Sequence, residues 1–426
     1  MPDITDSLLP ALRATRLPDL PLPDDLQAPA YDGNSILNLP PTIARTLGVA
    51  PFGAAPLAVP GLENLAGGAQ RVILLLMDSL ALHRFQAWLP DNPFWARLMQ
   101  DGLLAPMTSI TPSTTSAALT ALWTGVPPAR HGVTGYEMWL RQYTMVANMI
   151  SHHPISYKHS GGDLTNAGFE PLEFLTLPTL DGHLADHGIP TFVFQHYSII
   201  HSNLSRMLSR HAERHPVGSA SDLCISLRDL LESRPGAPFY AWVYWSEVDS
   251  LSHRHGPDSA RPRAEFAHFT QAFERFFYNE LSPAARKDTL FLLAADHGGI
   301  TVPNGDPHYM LTSHPNLARR VLVWAGENRL PFLYVRPGQL EAVREYIEKT
   351  WPRQFVVLES ANALHAGLFG PPPFHGDILT RIGDLTLLPR NDAFLWWHDK
   401  EDWLVGRHGG LHPEEMRVPL LAARLG

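Results

Sequence analysis

"RVILLLMD", residues 71–78, is a run of mostly branched apolar side chains that ends in an acid. A short, continuous apolar run of this kind is typical of a strand that is buried on both faces of a parallel sheet. The pattern recurs along the chain. We expect further strands at 103–110, 191–195, 238–245 and 289–295, and helices at about 92–101, 114–125, 219–233 and 260–280. Alternating strands and helices predict an α/β fold whose mainly parallel central sheet is sandwiched by helices.

The composition shifts along the chain and predicts a division into three parts. Residues 1–70 are rich in Pro, Leu and Ala without periodicity, and we expect an irregular arm that packs on the body. The α/β core is expected to span 71–330 and 380–426. Residues 331–379 contain a strand, helix, strand, helix pattern, which predicts a small inserted α+β subdomain.

Two further segments interrupt or close the α/β pattern. Residues 136–185 are irregular, aromatic and contain histidines, so we expect a loop or a cap. Near 384–424 the chain is expected to return to the main sheet, in the segments "GDLTLLP", "WWHD", "WLVGRHGG" and "VPLLAARL".

Composition excludes several classes of protein. The 426 residues carry a formal net charge of -9 without a basic block, so the electrostatic footprint of a nucleic-acid binder is missing. No apolar run reaches the roughly 18 residues of a membrane span, and the first residues lack the pattern of a signal peptide. Cys224 is the single cysteine, which excludes a disulfide framework and a thiolate metal cage. We therefore expect a cytoplasmic protein that binds neither nucleic-acid polymers nor membranes. The sequence does not determine its oligomeric state.

Three of the predicted strands end in metal-ligand side chains. Asp78 ends the first, "SEVDSLSH" after the strand 238–245 contains Asp249 and His253, and "FLLAADH" ends at Asp296 and His297. Because the carboxyl ends of parallel strands share one edge of the sheet, these groups should meet. Adjacent carboxylates raise one another's pKa unless a cation lies between them. Imidazole and carboxylate ligands without cysteine suit zinc, manganese or iron better than calcium.

Each of these side chains also has a purely structural interpretation. Asp78 is a suitable cap for a helix that begins near Leu80, and Asp249 and His253 are spaced as a surface pair on a helix. Asp, His and Gly are all common after strands. Their coincidence at the same end of successive strands favours a metal site.

A cluster of hydroxyl side chains precedes the predicted helix in "TPSTTSAALTALWTG", residues 111–125. Ser and Thr are preferred helix caps, so the cluster has a structural interpretation. A hydroxyl at a helix N-terminus also faces unpaired N–H groups that bind anions, and contact with a metal would make it a nucleophile.

Five motifs in order resemble the type I phosphodiesterase/nucleotide pyrophosphatase family of the alkaline phosphatase superfamily, which implies an alkaline-phosphatase-like core. They are "DSL" (78–80), "TPSTTSAALTALWTGVPPARHGVTGY" (111–136), "DSLSHRHGP" (249–257), "ADHGG" (295–299) and "GRHGG" (406–410). In the family, the nucleophilic threonine lies three residues after a proline and nine before a Thr-Gly pair. That register selects Thr115, ahead of Thr114 and Ser116.

The resemblance implies two divalent metal ions, zinc first and manganese as the alternative, which together clamp a phosphoryl group. It places one metal on Asp249, His253 and His408, and the other on Asp78, Asp296, His297 and the Thr115 oxygen. The neighbouring His131, His255 and His412 do not match ligand positions. The implied activity is hydrolysis of a phosphodiester or pyrophosphate bond in a small nucleotide-type phosphate ester, through a covalent phospho-threonine.

The chain departs from the family pattern beside the nucleophile. Ala118 stands where the family's phosphodiesterases have a phosphate-binding asparagine, and Thr114 stands where a lysine is frequent. Loss of such a donor can cost on the order of 10²-fold in rate. A phosphomonoesterase or phosphonoacetate-hydrolase-like enzyme is therefore an alternative, as is a non-catalytic protein that binds metal and phosphate. Tyr136 and Trp139 are candidates for stacking on the substrate, although such aromatics are more often core residues.

Overall fold

The structure is a computed structural model that describes residues 3–156, 164–399 and 401–426. Its described part contains two seven-stranded sheets and a two-stranded ribbon. The strands are β1 (Arg71–Met77), β2 (Leu103–Thr108), β3 (Glu137–Leu140), β4 (Met145–Asn148), β5 (His153–Pro154), β6 (Thr191–His196), β7 (Glu213–Val217), β8 (Phe239–Trp245), β9 (Thr289–Ala294), β10 (Ile300–Thr301), β11 (Val321–Glu327), β12 (Leu330–Val335), β13 (Phe355–Glu359), β14 (Leu385–Pro389), β15 (Gly406–Arg407) and β16 (Arg417–Arg424).

Helices cover the sheets and connect the strands. The longer α-helices are Thr5–Arg13, Leu39–Thr46, Leu82–Trp88, Pro93–Leu98, Thr115–Thr124, Leu180–Asp186, Asn203–Leu208, Ala220–Ser233, Glu247–His255, Ala260–Ala272, Leu340–Thr350 and Ser360–His365. Shorter ones lie at Leu62–Ala66, Pro128–His131, Pro171–Phe174, Pro283–Arg286, Pro315–Ala318, Ile378–Arg381 and Pro413–Met416.

The main sheet has the strand order β2-β16-β9-β1-β8-β6-β7. β1 is parallel to both β8 and β9, and β6 is parallel to β8 and β7, whereas β16 lies antiparallel between β2 and β9. Every residue of β1, β8 and β9 is buried, because helices cover both faces. The predicted α/β fold with a mostly parallel central sheet is confirmed.

The strands and helices predicted from apolar patterns are present, and β7 is a strand that the prediction missed. Its sequence, "ERHPV", is largely polar, and its burial is partial. β7 lies at the edge of the sheet and pairs with one strand only, so its side chains are less buried than those of the central strands. It therefore does not need a continuous apolar run.

The second sheet is antiparallel, with the order β13-β14-β12-β11-β3-β4-β5. It corrects two expectations. Residues 385–389 form β14 and pair with β12 and β13 rather than with the main sheet, whereas β16 does join the main sheet. The segment 136–185, expected to be a loop or cap, supplies β3 to β5; its residues 157–163 lie outside the described residues.

The proposed domain division stays a prediction. The range 331–379 contributes the predicted strand, helix, strand, helix order, but the sheet that it joins also contains strands from outside this range. The N-terminal 70 residues are partly helical rather than irregular. In Leu39–Thr46 all residues from Leu39 to Ala44 are buried.

None of the helices in the described ranges combines the length and the apolar composition that crossing a bilayer requires.

Candidate functional site

The carboxyl ends of three central strands deliver ligand side chains to one edge of the main sheet. β1, β8 and β9 are in register, so the chain leaves all three at the same level. Asp78 follows β1, and Asp296 and His297 follow β9. The helix that follows β8 presents Asp249 and His253, four residues apart, on one face.

The first cluster consists of Asp249, His253 and His408. The His253 and His408 Nε2 atoms lie 3.2 Å apart, and the Asp249 carboxylate lies 3.3 Å from His253 Nε2 and 4.0 Å from His408 Nε2. His408 follows β15, which pairs with β10 just after the segment of His297. This pairing brings a residue from near the end of the chain to the ends of the central strands.

The second cluster consists of Asp78, Asp296 and His297. His297 Nε2 lies 3.5 Å from an oxygen of each aspartate. All three side chains are buried, with side-chain exposures of 3% or less. The His297 and His408 rings stack with centroids 3.8 Å apart, so the two clusters adjoin each other.

The hydrogen bonds of the three histidines leave one ring nitrogen of each free for a cation. The Nδ1 atoms of His253, His297 and His408 lie 2.8 to 3.1 Å from the backbone carbonyl oxygens of Gly406, Gly298 and Ser113. A carbonyl only accepts, so each Nδ1 carries the proton and each Nε2 presents a lone pair in the neutral ring. Two such lone pairs 3.2 Å apart repel each other unless a cation lies between them.

The aspartates of the two clusters also keep one oxygen without a hydrogen bond, and in Asp78 and Asp296 the other oxygen accepts hydrogen bonds. Tyr244 donates its hydroxyl to Asp78 Oδ2, and the backbone N–H groups of Ser79 and His297 donate to Asp296 Oδ1 at 3.2 and 2.9 Å. One oxygen of each aspartate in the two clusters, Asp78 Oδ1, Asp249 Oδ1 and Asp296 Oδ2, is buried without a hydrogen-bond partner in the described chain. Buried polar groups are rarely left unpaired, so these oxygens fit the role of cation ligands.

The electrostatics agree with the geometry. Burial raises the pKa of Asp78 well above its ordinary value, and the nearby Asp296 and Asp249 carboxylates raise it further. Burial also raises the pKa of Asp296, and it lowers the pKa of His408 well below that of a free imidazole. Oxygen and nitrogen donors at this spacing fit divalent zinc or manganese, which would stabilise the ionised acids and the neutral rings.

Of the three candidate nucleophiles, Thr115 alone reaches the clusters. Its Oγ1 lies 3.1 Å from His297 Nε2. Ser116 donates its hydroxyl to the Gly135 carbonyl oxygen at 2.9 Å, and the Thr114 side chain interacts with the Glu327 carboxyl group. The Thr114 side chain does not cap the helix Thr115–Thr124, so the N–H groups of its first turn are available to an anion.

A cavity of about 310 Å³ opens above the clusters. Its lining residues are Thr114, Thr115, Tyr136, Glu137, Ile150, Asp249, His253, Gly326, Glu327, Asn328, Trp396, Trp397, His398, Trp403, Leu404, Arg407 and His408. Of the two candidate stacking residues, Tyr136 lines this cavity. Trp139 is not among the lining residues; it lies on the second sheet, its ring centroid 6.2 Å from that of Tyr334.

Sequence reasoning missed several residues of the site. Glu327 lies outside the five motifs, and Arg407 lies within "GRHGG" but is not one of its candidate ligands. Tyr244 lies inside an apolar strand, where a core role is the default. The adjacent Trp396 and Trp397 were expected only to return the chain to the sheet. An adjacent pair of tryptophans outside a strand pattern was the available signal for a binding wall.

A buried ion pair supports the loop that carries His408. Arg329 donates to both Glu415 oxygens, at 3.1 and 2.8 Å, and both side chains are fully buried. Glu415 also accepts from the backbone N–H of Gly410, 3.0 Å away. Its own carbonyl oxygen accepts from the N–H of Gly298, the residue after His297, at 2.8 Å. Glu415 thus connects the loops of the two clusters.

Other polar groups in the described chain lie outside the site. His83, Asp258 and Glu414 form a third group of close ligand atoms, but the Arg84 guanidinium donates to both acids at 2.9 Å and supplies the positive charge itself. His412 accepts from the N–H of Glu414 as a helix cap. His131, Nδ1 of which accepts from the N–H of Val133, and His255 are absent from the two clusters.

Comparison with known proteins agrees with this geometry. The type I phosphodiesterase/nucleotide pyrophosphatase family model matches residues 72–411. Murine ectonucleotide pyrophosphatase/phosphodiesterase 5 superimposes with a TM-score of 0.61 at 15% identity, covering 83% of this chain and 88% of that chain. Phosphonoacetate hydrolase from Sinorhizobium meliloti 1021 superimposes with a TM-score of 0.58 at 17% identity, covering 84% and 90%. No curated protein sequence matches. At such low sequence identities, the two superpositions establish a common fold and no more.

Proposed function

Because the chain belongs to the type I phosphodiesterase/nucleotide pyrophosphatase family, we propose that it hydrolyses phosphodiester or pyrophosphate bonds through a covalent phospho-threonine on Thr115. Family membership and structural neighbours support the broader class of phosphodiesterase, pyrophosphatase or phosphonate hydrolase. The family is metal-dependent, and this chain has two groups of candidate ligands. The observation that carries the proposal is the position of Thr115 Oγ1, 3.1 Å from His297 Nε2 and beside both clusters.

The residues divide the chemical work among them. Thr115 Oγ1 attacks phosphorus and displaces the alcohol or phosphate leaving group, and hydrolysis of the phospho-threonine restores the hydroxyl. Two divalent cations, zinc or manganese, would lower the pKa of the Thr115 hydroxyl and neutralise the phosphoryl oxygens. Asp249, His253 and His408 would hold one, and Asp78, Asp296 and His297 the other.

Ala118 replaces the family's phosphate-binding asparagine, and its methyl side chain cannot donate a hydrogen bond to a phosphoryl oxygen. Ala118 is fully buried one turn into the helix Thr115–Thr124. The free N–H groups of the first helical turn point toward the same end of the helix as Thr115, and they are the donors that we propose for the phosphoryl oxygen. A cytoplasmic location stays a prediction from the single, buried Cys224.

The test uses the cation-loaded protein and bis-p-nitrophenyl phosphate. We expect release of p-nitrophenol, its loss in Thr115→Ala, and partial retention in Thr115→Ser, which keeps a hydroxyl. Ser116→Ala removes the neighbouring hydroxyl and is the matched control that should retain activity. Intact-mass analysis of acid-quenched reactions should detect the added phosphoryl group on the protein. Activity that survives Thr115→Ala, or a protein that turns over no phosphoryl ester, contradicts the proposal.

Assays on the same protein distinguish two alternative functions from the proposed one. A phosphomonoesterase or phosphonate hydrolase would prefer p-nitrophenyl phosphate or phosphonoacetate to the diester. A non-catalytic homologue would bind vanadate in the presence of cations without turning over any ester.

A further inference from the structure

The charges that line the cavity pair with one another, with one exception. Among the described lining residues, Asp249 belongs to the first cluster, and Glu137 forms an ion pair with His398 at 2.9 Å. Arg407, the one arginine or lysine among these lining residues, is paired with Asp402. Glu327 is the exception, because no arginine, lysine or histidine of the described chain forms an ion pair with it.

No ion pair within the described residues holds Glu327 in place, because the nearby Arg407 guanidinium pairs with Asp402 instead. The Glu327 Oε1 accepts from the backbone N–H of Tyr136 at 2.5 Å, and the Thr114 side chain interacts with the same carboxyl group. The residue is 8% exposed, and burial raises its pKa to about 8. An acid that is desolvated and lacks a cationic partner is costly to ionise. A positive charge in the cavity would remove that cost.

Glu327 faces the space beside the reacting groups. β11 pairs with β3 at Gly326 and Glu137, which places Glu327 on the cavity wall contributed by the second sheet. Its side chain packs against Gly409, where a Cβ atom would lie 2.6 Å from Glu327 Cβ. Gly409 follows His408 in sequence, so Glu327 contacts the residue next to a member of the first cluster.

Aromatic rings form much of the remaining wall. Trp397 lines the cavity, and Tyr136 and Trp403 also line it while remaining 39% and 54% exposed. Trp396 is 4% exposed, and the Arg407 guanidinium already lies over its ring, 5.0 Å from the centroid. Aromatic faces attract organic cations through the ring quadrupole, and they bury the methyl or methylene groups around the nitrogen. An anionic substituent, such as the further phosphates of a nucleotide, would meet the Glu327 carboxylate instead.

We propose that the substituent on phosphorus that occupies this cavity carries an organic ammonium group, with Glu327 as its counter-charge and the rings of Tyr136, Trp397 and Trp403 as its walls. The inference deepens the proposed function and rests on it for the chemistry at phosphorus. It names the substrate class as an ammonium-bearing phosphate ester of modest size, as the cavity of about 310 Å³ requires.

The test compares two chromogenic diesters of the same shape, p-nitrophenyl phosphocholine and p-nitrophenyl 3,3-dimethylbutyl phosphate, in which a carbon replaces the charged nitrogen. We expect kcat/KM for the charged ester to be higher by about tenfold or more, as a desolvated cation beside an acid and aromatic faces implies. In Glu327→Gln this ratio should fall to within about threefold of unity. Glu341→Gln, an exposed acid on a remote helix, is the control and should keep the ratio. The ratio cancels any general loss of activity.

A binding measurement separates this inference from the proposed function. Calorimetry on cation-loaded Thr115→Ala should show tighter binding of phosphocholine than of 3,3-dimethylbutyl phosphate, and Glu327→Gln in the same background should remove the difference. Equal turnover of both diesters by the unaltered protein, or an unchanged preference in Glu327→Gln, overturns the inference and leaves the proposed function standing. Selective binding without turnover of any ester supports the inference and overturns the proposed function.

Discussion

Removal of divalent cations should destabilise this protein, and by an amount that the structure allows us to work out. Without cations, three buried aspartate oxygens, Asp78 Oδ1, Asp249 Oδ1 and Asp296 Oδ2, have no partner. Each unpaired buried group costs about 1–3 kcal/mol, so the two clusters together cost about 3–9 kcal/mol. Cations at about 100 times their Kd stabilise the folded state by about 2.7 kcal/mol per site, or about 5 kcal/mol for two sites.

This free energy converts to a measurable change in Tm. Unfolding entropy of about 2.1 cal/mol/K per residue amounts to about 0.9 kcal/mol/K for a chain of 426 residues. A gain of about 5 kcal/mol therefore raises Tm by about 6 °C.

The gain should grow with pH. Because the folded-state pKa values of Asp78 and Asp296 are raised, the metal-free folded protein holds protons that the unfolded chain releases. Its stability therefore falls as pH rises from the ordinary aspartate pKa through the raised values. Cations bind the ionised acids, so their stabilising effect is larger at pH 8 than at pH 5.5.

The assay is differential scanning calorimetry of chelator-treated protein before and after addition of Zn²⁺ or Mn²⁺, at both pH values, together with elemental analysis. Asp249→Asn should remove one ion per chain and about half of the gain in Tm. Asp258→Asn is the matched control: it removes an acid from the third group, where Arg84 already supplies the charge, and should leave the gain unchanged. An unaltered Tm on addition of cations, or loss of the gain in Asp258→Asn but not in Asp249→Asn, would refute the reasoning.

Three further outcomes are expected. In cation-free protein, Glu327→Gln should be more stable than the parent at pH 8 by roughly 2–5 kcal/mol, but not at pH 4.5. Burial raises the pKa of Glu327 from 4.5 to about 8, so the parent loses stability as the pH rises between these values. Urea unfolding measures the difference, and a difference that does not depend on pH refutes the prediction. Glu415→Gln should weaken cation binding about 10–100-fold by calorimetry, because Glu415 holds the His408 loop; a less stable protein with unaltered affinity contradicts a positioning role. Gly298→Ala should destabilise by about 1–3 kcal/mol, since its Cβ would lie 2.0 Å from the Glu414 carbonyl oxygen, whereas Gly376→Ala, with nothing within 4 Å, should change unfolding free energy by about 0.5 kcal/mol or less.

Local sequence was sufficient for the central strands and for the order of their ligands. β1, β8 and β9 are buried on both faces, so each must be a continuous apolar run, and that run is visible without any knowledge of its neighbours. Parallel strands end at one edge, which is why Asp78, Asp249 and Asp296 could be expected to meet. His408 and the choice of Thr115 came from family motifs, since neither has a local signal of its own.

The cavity wall, in contrast, depends on which strands pair. The run "LTLLP" of β14 is equally suited to either sheet, and the partner that it pairs with is set by how the whole chain packs. Glu327 and Glu137 lie 190 residues apart in sequence and meet only because β11 pairs with β3. Sequence alone therefore determined the central strands of the main sheet and the aspartates that follow them, because burial leaves a local pattern. Tertiary structure decided what surrounds the substrate, because a charge without a partner is recognised only when every neighbour is in place.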